Sequence, residues 1–202
     1  MNEPTREQLD AADMQRLVAD GDSALNNLME RNSERLFHYL IRLLHDESDA
    51  AEIAQESFVR VYQHRARFDS RQKFSTWLYT IATNLARDRL KWRSRHPQVS
   101  LEGALSGTNL AMKDVLPDPK PSPDDVLYSK ERAQAVREEI RKLPEDLRTA
   151  LILSEYELLP NAEIANLLGC SVKAVESRIY RAKERLRESL EGRLHGVNST
   201  RR

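Results

Sequence analysis

The sequence predicts an all-α protein of two small helical domains joined by a flexible linker, and three observations carry that prediction. Apolar residues recur at three- and four-residue spacing over most of the chain, and no stretch alternates apolar and polar residues as a half-buried strand would. Five of the eight prolines fall between Pro97 and Pro123, together with Gly103 and Gly107. Proline removes backbone donors and stiffens the chain, so this segment suits neither a buried helix nor a central strand. So long a structureless stretch is uncommon inside one compact domain. Residues 97–124 therefore read as the linker, 10–96 as one domain and 125–192 as the other. Each is small, buries a limited core and stands to gain rigidity from a large partner.

The elements follow in order. A helix starting near Asp22 or Ser23 carries Leu36, Tyr39, Leu40, Leu43 and Leu44 on one stripe. The run from Asp49 to Glu52 reads as a capping box opening a helix through Ile53, Ala54, Phe58, Val61 and Tyr62. Between Arg71 and Arg95, residues Phe74, Trp77, Leu78, Ile81, Ala82, Leu85 and Arg89 keep helical spacing, with Ser75 or Thr76 as the expected cap. Beyond the linker, Ala133, Val136, Ile140 and Leu143 form a stripe stopped by Pro144, and Leu147, Ala150, Leu151 and Ser154 make the next helix.

Residues 161–187 hold the most specific local pattern. Asn161 is placed to cap a short helix, Ala165 is small where a second helix would cross, and Gly169 suits the left-handed stop. Ser171 is placed to cap the helix that follows, and Ile164, Leu168, Cys170, Val175 and Ile179 would lock the two together. This is a helix-turn-helix, whose second helix enters the DNA major groove. Its exposed face offers Ser171, Lys173, Glu176, Ser177, Arg178, Tyr180, Arg181 and Lys183 to bases and phosphates. Cys170 reads as a small core residue of the turn rather than a redox sensor.

Composition narrows the function. Of 202 residues, 40% are hydrophobic and 32% charged, with Lys+Arg and Asp+Glu equal at 32 each. The balance conceals segregation: residues 1–57 carry five basic and thirteen acidic side chains, whereas 60–95 carry ten basic and two acidic. Residues 96–160 are again acidic, eight against twelve, and 161–202 basic, nine against five. Two separated basic blocks suggest two contact surfaces for a polyanion. Nine of the twelve aromatics lie between Phe37 and Trp92, overlapping the first block. There Phe74, Trp77 and Tyr79 suit stacking on unpaired bases, with Arg87 and Lys91 to hold phosphates. Arg87, Arg89, Lys91, Arg93 and Arg95 crowd one helix end and call for an anionic partner.

Other classes are disfavoured. A single Cys forbids an internal disulfide or a multi-thiolate metal site and points to a reducing compartment. No run approaches the ~18 apolar residues that span a bilayer, and the start lacks a signal-peptide pattern, so a soluble cytoplasmic protein without membrane insertion is expected. There is no nucleophile–base pair and no Gly-rich phosphate loop, and His38, His45, His64, His96 and His195 lack ligand spacing. Neither catalysis, a cofactor nor a metal is expected.

Four blocks taken together resemble the extracytoplasmic-function sigma factors of bacterial RNA polymerase: residues 49–62, residues 74–88, the run from Leu143 to Arg148, and the helix-turn-helix. The resemblance runs in order from about residue 12 to 190. It implies two helical domains, σ2 and σ4, and a promoter-specificity subunit that recognises −35 and melts −10 elements. By the same resemblance Asp49, Glu52, Gln55 and Glu56 would dock on the clamp helices of the polymerase β′ subunit, and the β flap would be a further contact of the core enzyme. Residues 68–74 and the helix after them would open the −10 element, with Asn84 and Asp88 reading it. Glu176, Ser177, Arg178, Tyr180 and Arg181 would belong to the −35 recognition helix. The linker would thread toward the active-centre cleft, with Asp114, Asp118, Asp124 and Asp125 imitating nucleic acid. An anti-sigma factor is the expected inhibitor. Some relatives carry Arg where this chain has Glu176, and a carboxylate cannot donate to guanine, so the −35 sequence is not carried over. The second reading is a stand-alone helix-turn-helix regulator, which would need a dimer and a palindromic site and would leave residues 74–95 unexplained.

Overall fold

A computed structural model describes residues 3–19, 21–96 and 123–199, and its regular structure is helical. Four helices precede the segment 97–122: α1 (Arg6–Val18), α2 (Ser23–Leu44), α3 (Glu47–Gln63) and α4 (Phe74–Arg95), with a short 3-10 turn at Arg65–Arg67. Four follow it: α5 (Pro123–Lys142), α6 (Glu145–Glu155), α7 (Asn161–Leu168) and α8 (Val172–Ser199). Asp114 and Asp118 lie outside the described residues. Asp124 and Asp125 fall within α5, which starts at Pro123, two residues inside the expected linker.

Helix α1 was not foreseen. Its inward positions are Asp10, Asp13, Met14 and Leu17, so half of its buried face is acidic and no apolar stripe betrays it. A capping box starts it: Gln8 N donates to Thr5 Oγ1 at 3.3 Å, and Thr5 N donates to Gln8 Oε1 at 2.8 Å. Arg31 of α2 makes the acids tolerable by donating to Asp10 at 2.8 Å and to Asp13 at 2.6 Å. Burial alone would raise the Asp13 carboxyl, but Arg31 and Asn27 hold it below its usual range.

Three expected caps are corrected. Helix α3 opens two residues before Asp49, and its cap is Asp46, whose side chain accepts from Asp49 N at 2.8 Å. Helix α4 begins at Phe74 after an uncapped Lys73, so Ser75 and Thr76 sit inside its first turn. Helix α7 has Pro160 at the cap position and Asn161 as its first helical residue. Gly169 and Ser171 behave as expected: Gly169 has φ 63°, and Ala174 N donates to Ser171 Oγ at 3.2 Å.

The N-terminal body wraps α1, α3 and α4 around α2, whose Leu28, Leu36, Tyr39, Leu40 and Leu43 are almost fully buried. In the C-terminal body α5, α6 and α7 pack on α8 through Val175, Ile179, Ala182 and Leu186. The two bodies also pack on each other, α6 against α2 and α7 against α4. One apolar cluster runs from Tyr39 and Leu78 into Ile152, Leu153 and Ile164. A smaller one, Ile140, Leu143, Leu147, Leu151 and Ala182, belongs to the C-terminal body alone.

Candidate nucleic-acid interface

Helix α4 has three sides. Leu78, Ala82 and Ala86 enter the core. Thr76, Tyr79 and Arg87 face the C-terminal body, while the Thr83 hydroxyl bonds Tyr39 of α2 at 2.7 Å. Asn84, Asp88 and Lys91 are exposed, one or two turns apart on a single face, and Trp77 lies on the same stripe. Trp77 is half-buried between Phe68, at a ring separation of 5.1 Å, and Phe74, at 6.5 Å. Phe68 belongs to a turn closed by Asp69, which accepts from Arg71 N at 3.0 Å and from the Arg71 guanidinium at 2.7 Å. That guanidinium pulls the Asp69 carboxyl down to about 2. The loop therefore presents an aromatic wedge with its tryptophan at the edge of the exposed face.

Two members of the expected −10 set are inside the protein. Phe74 and Tyr79 are each 3% exposed. Tyr79 OH donates to Glu157, and its ring meets Tyr39 edge-on at 5.0 Å. Burial, then the Glu157 charge, pushes the Tyr79 phenol upward. A third, Arg87, is half-buried and paired with Glu145 of α6 at 2.8 Å.

The crowd of cations at the end of α4 is also resolved differently. Arg89 bonds Asp49 and reaches Glu52 at 2.7 Å, and Arg93 lies 2.7 Å from Asp46 and 2.6 Å from Asp49. The anionic partner of three of the five is thus the chain itself. Lys91 and Arg95 have no acidic partner among the described residues, and Trp92 beside them is 45% exposed and stacked on His96 at 4.9 Å. Nothing in the sequence singles out Trp92 from the core aromatics.

The same network reorders the expected polymerase contacts. The Asp49 side chain is 9% exposed and held by two arginines, which withdraws it from the surface. Glu52 and Gln55 are exposed and Glu56 is half-exposed, paired with Arg60 at 2.9 Å. Arg89 keeps the Glu52 carboxyl below its ordinary range.

On α8 the exposed positions Lys173, Glu176, Ser177, Tyr180 and Arg181 form one face, opposite the buried Val175, Ile179 and Ala182. Tyr180 is 66% exposed, unusual for so large a ring. Arg178 and Lys183 turn toward α6 instead, at 3.7 Å from Asp146 and 2.8 Å from Glu155. Arg178 also donates to Cys170 Sγ at 3.4 Å, and Cys170 packs, partly buried, against the core.

A helix-turn-helix with an unobstructed polar face, tethered to a second helical body with its own exposed polar and aromatic face, defines a two-part DNA-binding protein. Residues 28–96 match the family Sigma-70 region 2, and residues 133–186 match Sigma-70, region 4. The chain is 35% identical over 175 residues to the ECF RNA polymerase sigma factor SigW of Bacillus subtilis (strain 168), covering 86% of this chain and 92% of that one. It is 36% identical over 180 residues to the RNA polymerase sigma-H factor of Pseudomonas aeruginosa, covering 86% and 90%. Among solved structures it is similar to CnrH in complex with the cytosolic domain of CnrY, with a TM-score of 0.66, 22% identity, and coverage of 91% of this chain and 98% of that one. It is similar also to the sigma factor RpoE in complex with the anti-sigma factor NepR from Bartonella quintana, with a TM-score of 0.62, 22% identity, and coverage of 82% and 96%. The chain belongs to the extracytoplasmic-function sigma factors of the sigma-70 family, which are non-enzymatic transcription initiation factors. No helix among the described residues is long and apolar enough to cross a membrane.

Proposed function

We propose that this sigma factor joins the core bacterial RNA polymerase in the cytoplasm, directs it to promoters with a −35 and a −10 element, and helps to open the latter. The observation that carries the reading is the exposed face of α8, where neither Lys173 nor Arg181 pairs with an acid among the described residues. Such a face is free to meet base edges and phosphates in a major groove. Glu176 in its middle favours a cytosine N4 donor over guanine.

Asn84, Asp88 and Lys91, with the wedge of Phe68 and Trp77, are proposed to meet the −10 strand. Flipping a base costs a few kcal/mol, and stacking it on an aromatic returns about 1–3 kcal/mol, so polymerase binding has to supply the remainder. Glu52, Gln55 and Glu56 are proposed to meet the β′ clamp helices, with Asp49 positioning α3 from within, and region 4 to meet the β flap. An anti-sigma factor is the proposed regulator, in keeping with the company in which the similar solved structures were captured.

Run-off transcription with purified core polymerase on a genomic promoter library tests the reading. Discrete transcripts starting downstream of a shared pair of elements are expected. Transcription no higher than with core enzyme alone would sink it, and tight, specific duplex binding without polymerase would favour a stand-alone regulator.

A further inference from the structure

The contacts between the two bodies have a uniform polarity. In the four ion pairs described there, the cation belongs to region 2 and the acid to region 4. Arg35 and Arg42 reach Glu157 at 2.8 and 3.8 Å, Lys73 reaches Glu163 at 3.4 Å, and Arg87 reaches Glu145 at 2.8 Å. Region 2 hydroxyls add to this: Thr76 donates to Glu163 at 2.5 Å and Tyr79 to Glu157.

Glu157 is the centre. Its side chain is 2% exposed, and the side-chain donors that satisfy it come from the other body. Arg35 also donates to its main-chain carbonyl at 2.6 Å, and Arg42 stacks over the neighbouring Tyr156 ring at 4.6 Å. A carboxylate so withdrawn from water is tolerable only while those donors stay in place. The next residue, Leu158, is 77% exposed and has φ 56°, a left-handed conformation that disfavours a leucine. That left-handed residue lies in the turn that ends α6, where Glu157 N donates to Ile152 O at 3.2 Å and Leu159 N to Leu153 O at 3.1 Å, and so fixes the backbone that carries Glu157.

Lys73, just before α4 and held also by Glu7 of α1 at 2.9 Å, and Arg87 on α4 stand at the edge shared by the docked side and the exposed side that bears Asn84, Asp88 and Lys91. A strand lying along the exposed side would bring its phosphates to the cations that Glu145 and Glu163 already hold. We propose that the acidic face Glu145, Glu157 and Glu163 is a built-in counterpart that keeps the free chain closed, and that single-stranded DNA competes with it for this cationic edge of α4. The competition half of the proposal rests on α4 being the −10 contact. The closure half does not.

The test uses the full chain, in a Cys170→Ala background with dyes on Gln63→Cys and Asn166→Cys, two exposed positions in opposite bodies. Energy transfer between the dyes reports closure. Anisotropy of a fluorescein-labelled, random-sequence single-stranded DNA reports competition. In the triple variant Glu145→Gln, Glu157→Gln, Glu163→Gln, transfer at low salt is expected to fall to the level the parent reaches only at molar salt, where such pairs are screened. The DNA should bind on the order of tenfold tighter, because the fraction of competent molecules rises. A control with Glu3, Glu30 and Glu188 neutralised instead matches the charge change and should alter neither readout. Arg87→Glu should open the chain, and adding Glu145→Arg should close it again, which guards against a misfolded triple variant. Unchanged transfer in both the triple and the Arg87→Glu variants overturns the closure. Opening without tighter DNA binding overturns the competition, and if that variant still supports run-off transcription the sigma-factor reading stands untouched.

Discussion

At Gly169 the backbone reaches φ 63° with open space where a Cβ would sit, so only conformation opposes a side chain there. Gly169→Ala should therefore lower stability by about 1–2 kcal/mol, the usual left-handed penalty, and no more. The neighbouring Ser171→Ala removes a cap and should lose about 1 kcal/mol. Both are read from thermal melts of the whole chain. Tyr180→Ala and Arg181→Ala touch no core residue, so their expected effect is functional: a loss on the order of tenfold in −35-dependent transcription, as for a base contact worth about 1–3 kcal/mol, with unchanged affinity for core polymerase. Equal loss of that affinity would show that another surface reads the promoter. These residues were legible in the sequence because glycine, cap and apolar spacing each constrain the same short turn. Asp49 was not, because no pattern in the chain says that Arg89 and Arg93, forty residues later, turn back to it.

Elements were easier to read than their ends. The apolar stripes of α2, α3, α4 and α6 pointed to helices, since packing a stripe leaves little choice of period. Caps depend instead on which side chain meets a free N–H first, and Asp46 does so before Asp49 can serve. Helix α1 escaped because aspartates occupy half of its inward face. On α3 and α4, Asp49→Asn should cost about 1–3 kcal/mol in denaturant unfolding, because Arg89 and Arg93 keep Glu52 and Asp46 but lose the buried charge they share, while polymerase binding persists. On α4, Trp77→Ala should slow promoter opening more than closed-complex formation. A permanganate footprint that is unaltered in this variant would mark the ring as packing only.

For the whole molecule, the sequence spoke of two bodies and a strap, and the surprise is how the bodies meet. Beyond the apolar cluster they share, their contact is written in single charges scattered from Arg35 to Glu163, with no local spacing to reveal it. His45 shows what such a contact does to titration. It ends α2 at φ 56° with its ring half-buried, and burial, then Arg148 and Arg141 across the interface, hold its pKa down to about 4. The unfolded ring takes up a proton near its ordinary 6.5, so the protein binds fewer protons folded than unfolded between those values. Stability should then fall as pH drops from 6.5 toward 4, and His45→Asn, which accepts the left-handed turn without titrating, should flatten that slope in urea midpoints. Both partners of the docked pair also lie on one polypeptide. Joining two modules in this way gives each an effective concentration that can reach the millimolar range around the other, so contacts too weak to join separate molecules suffice here. A single protease cut within residues 97–122 should release the halves as independent species on a sizing column at micromolar dilution, turning an intramolecular clasp into an ordinary weak association.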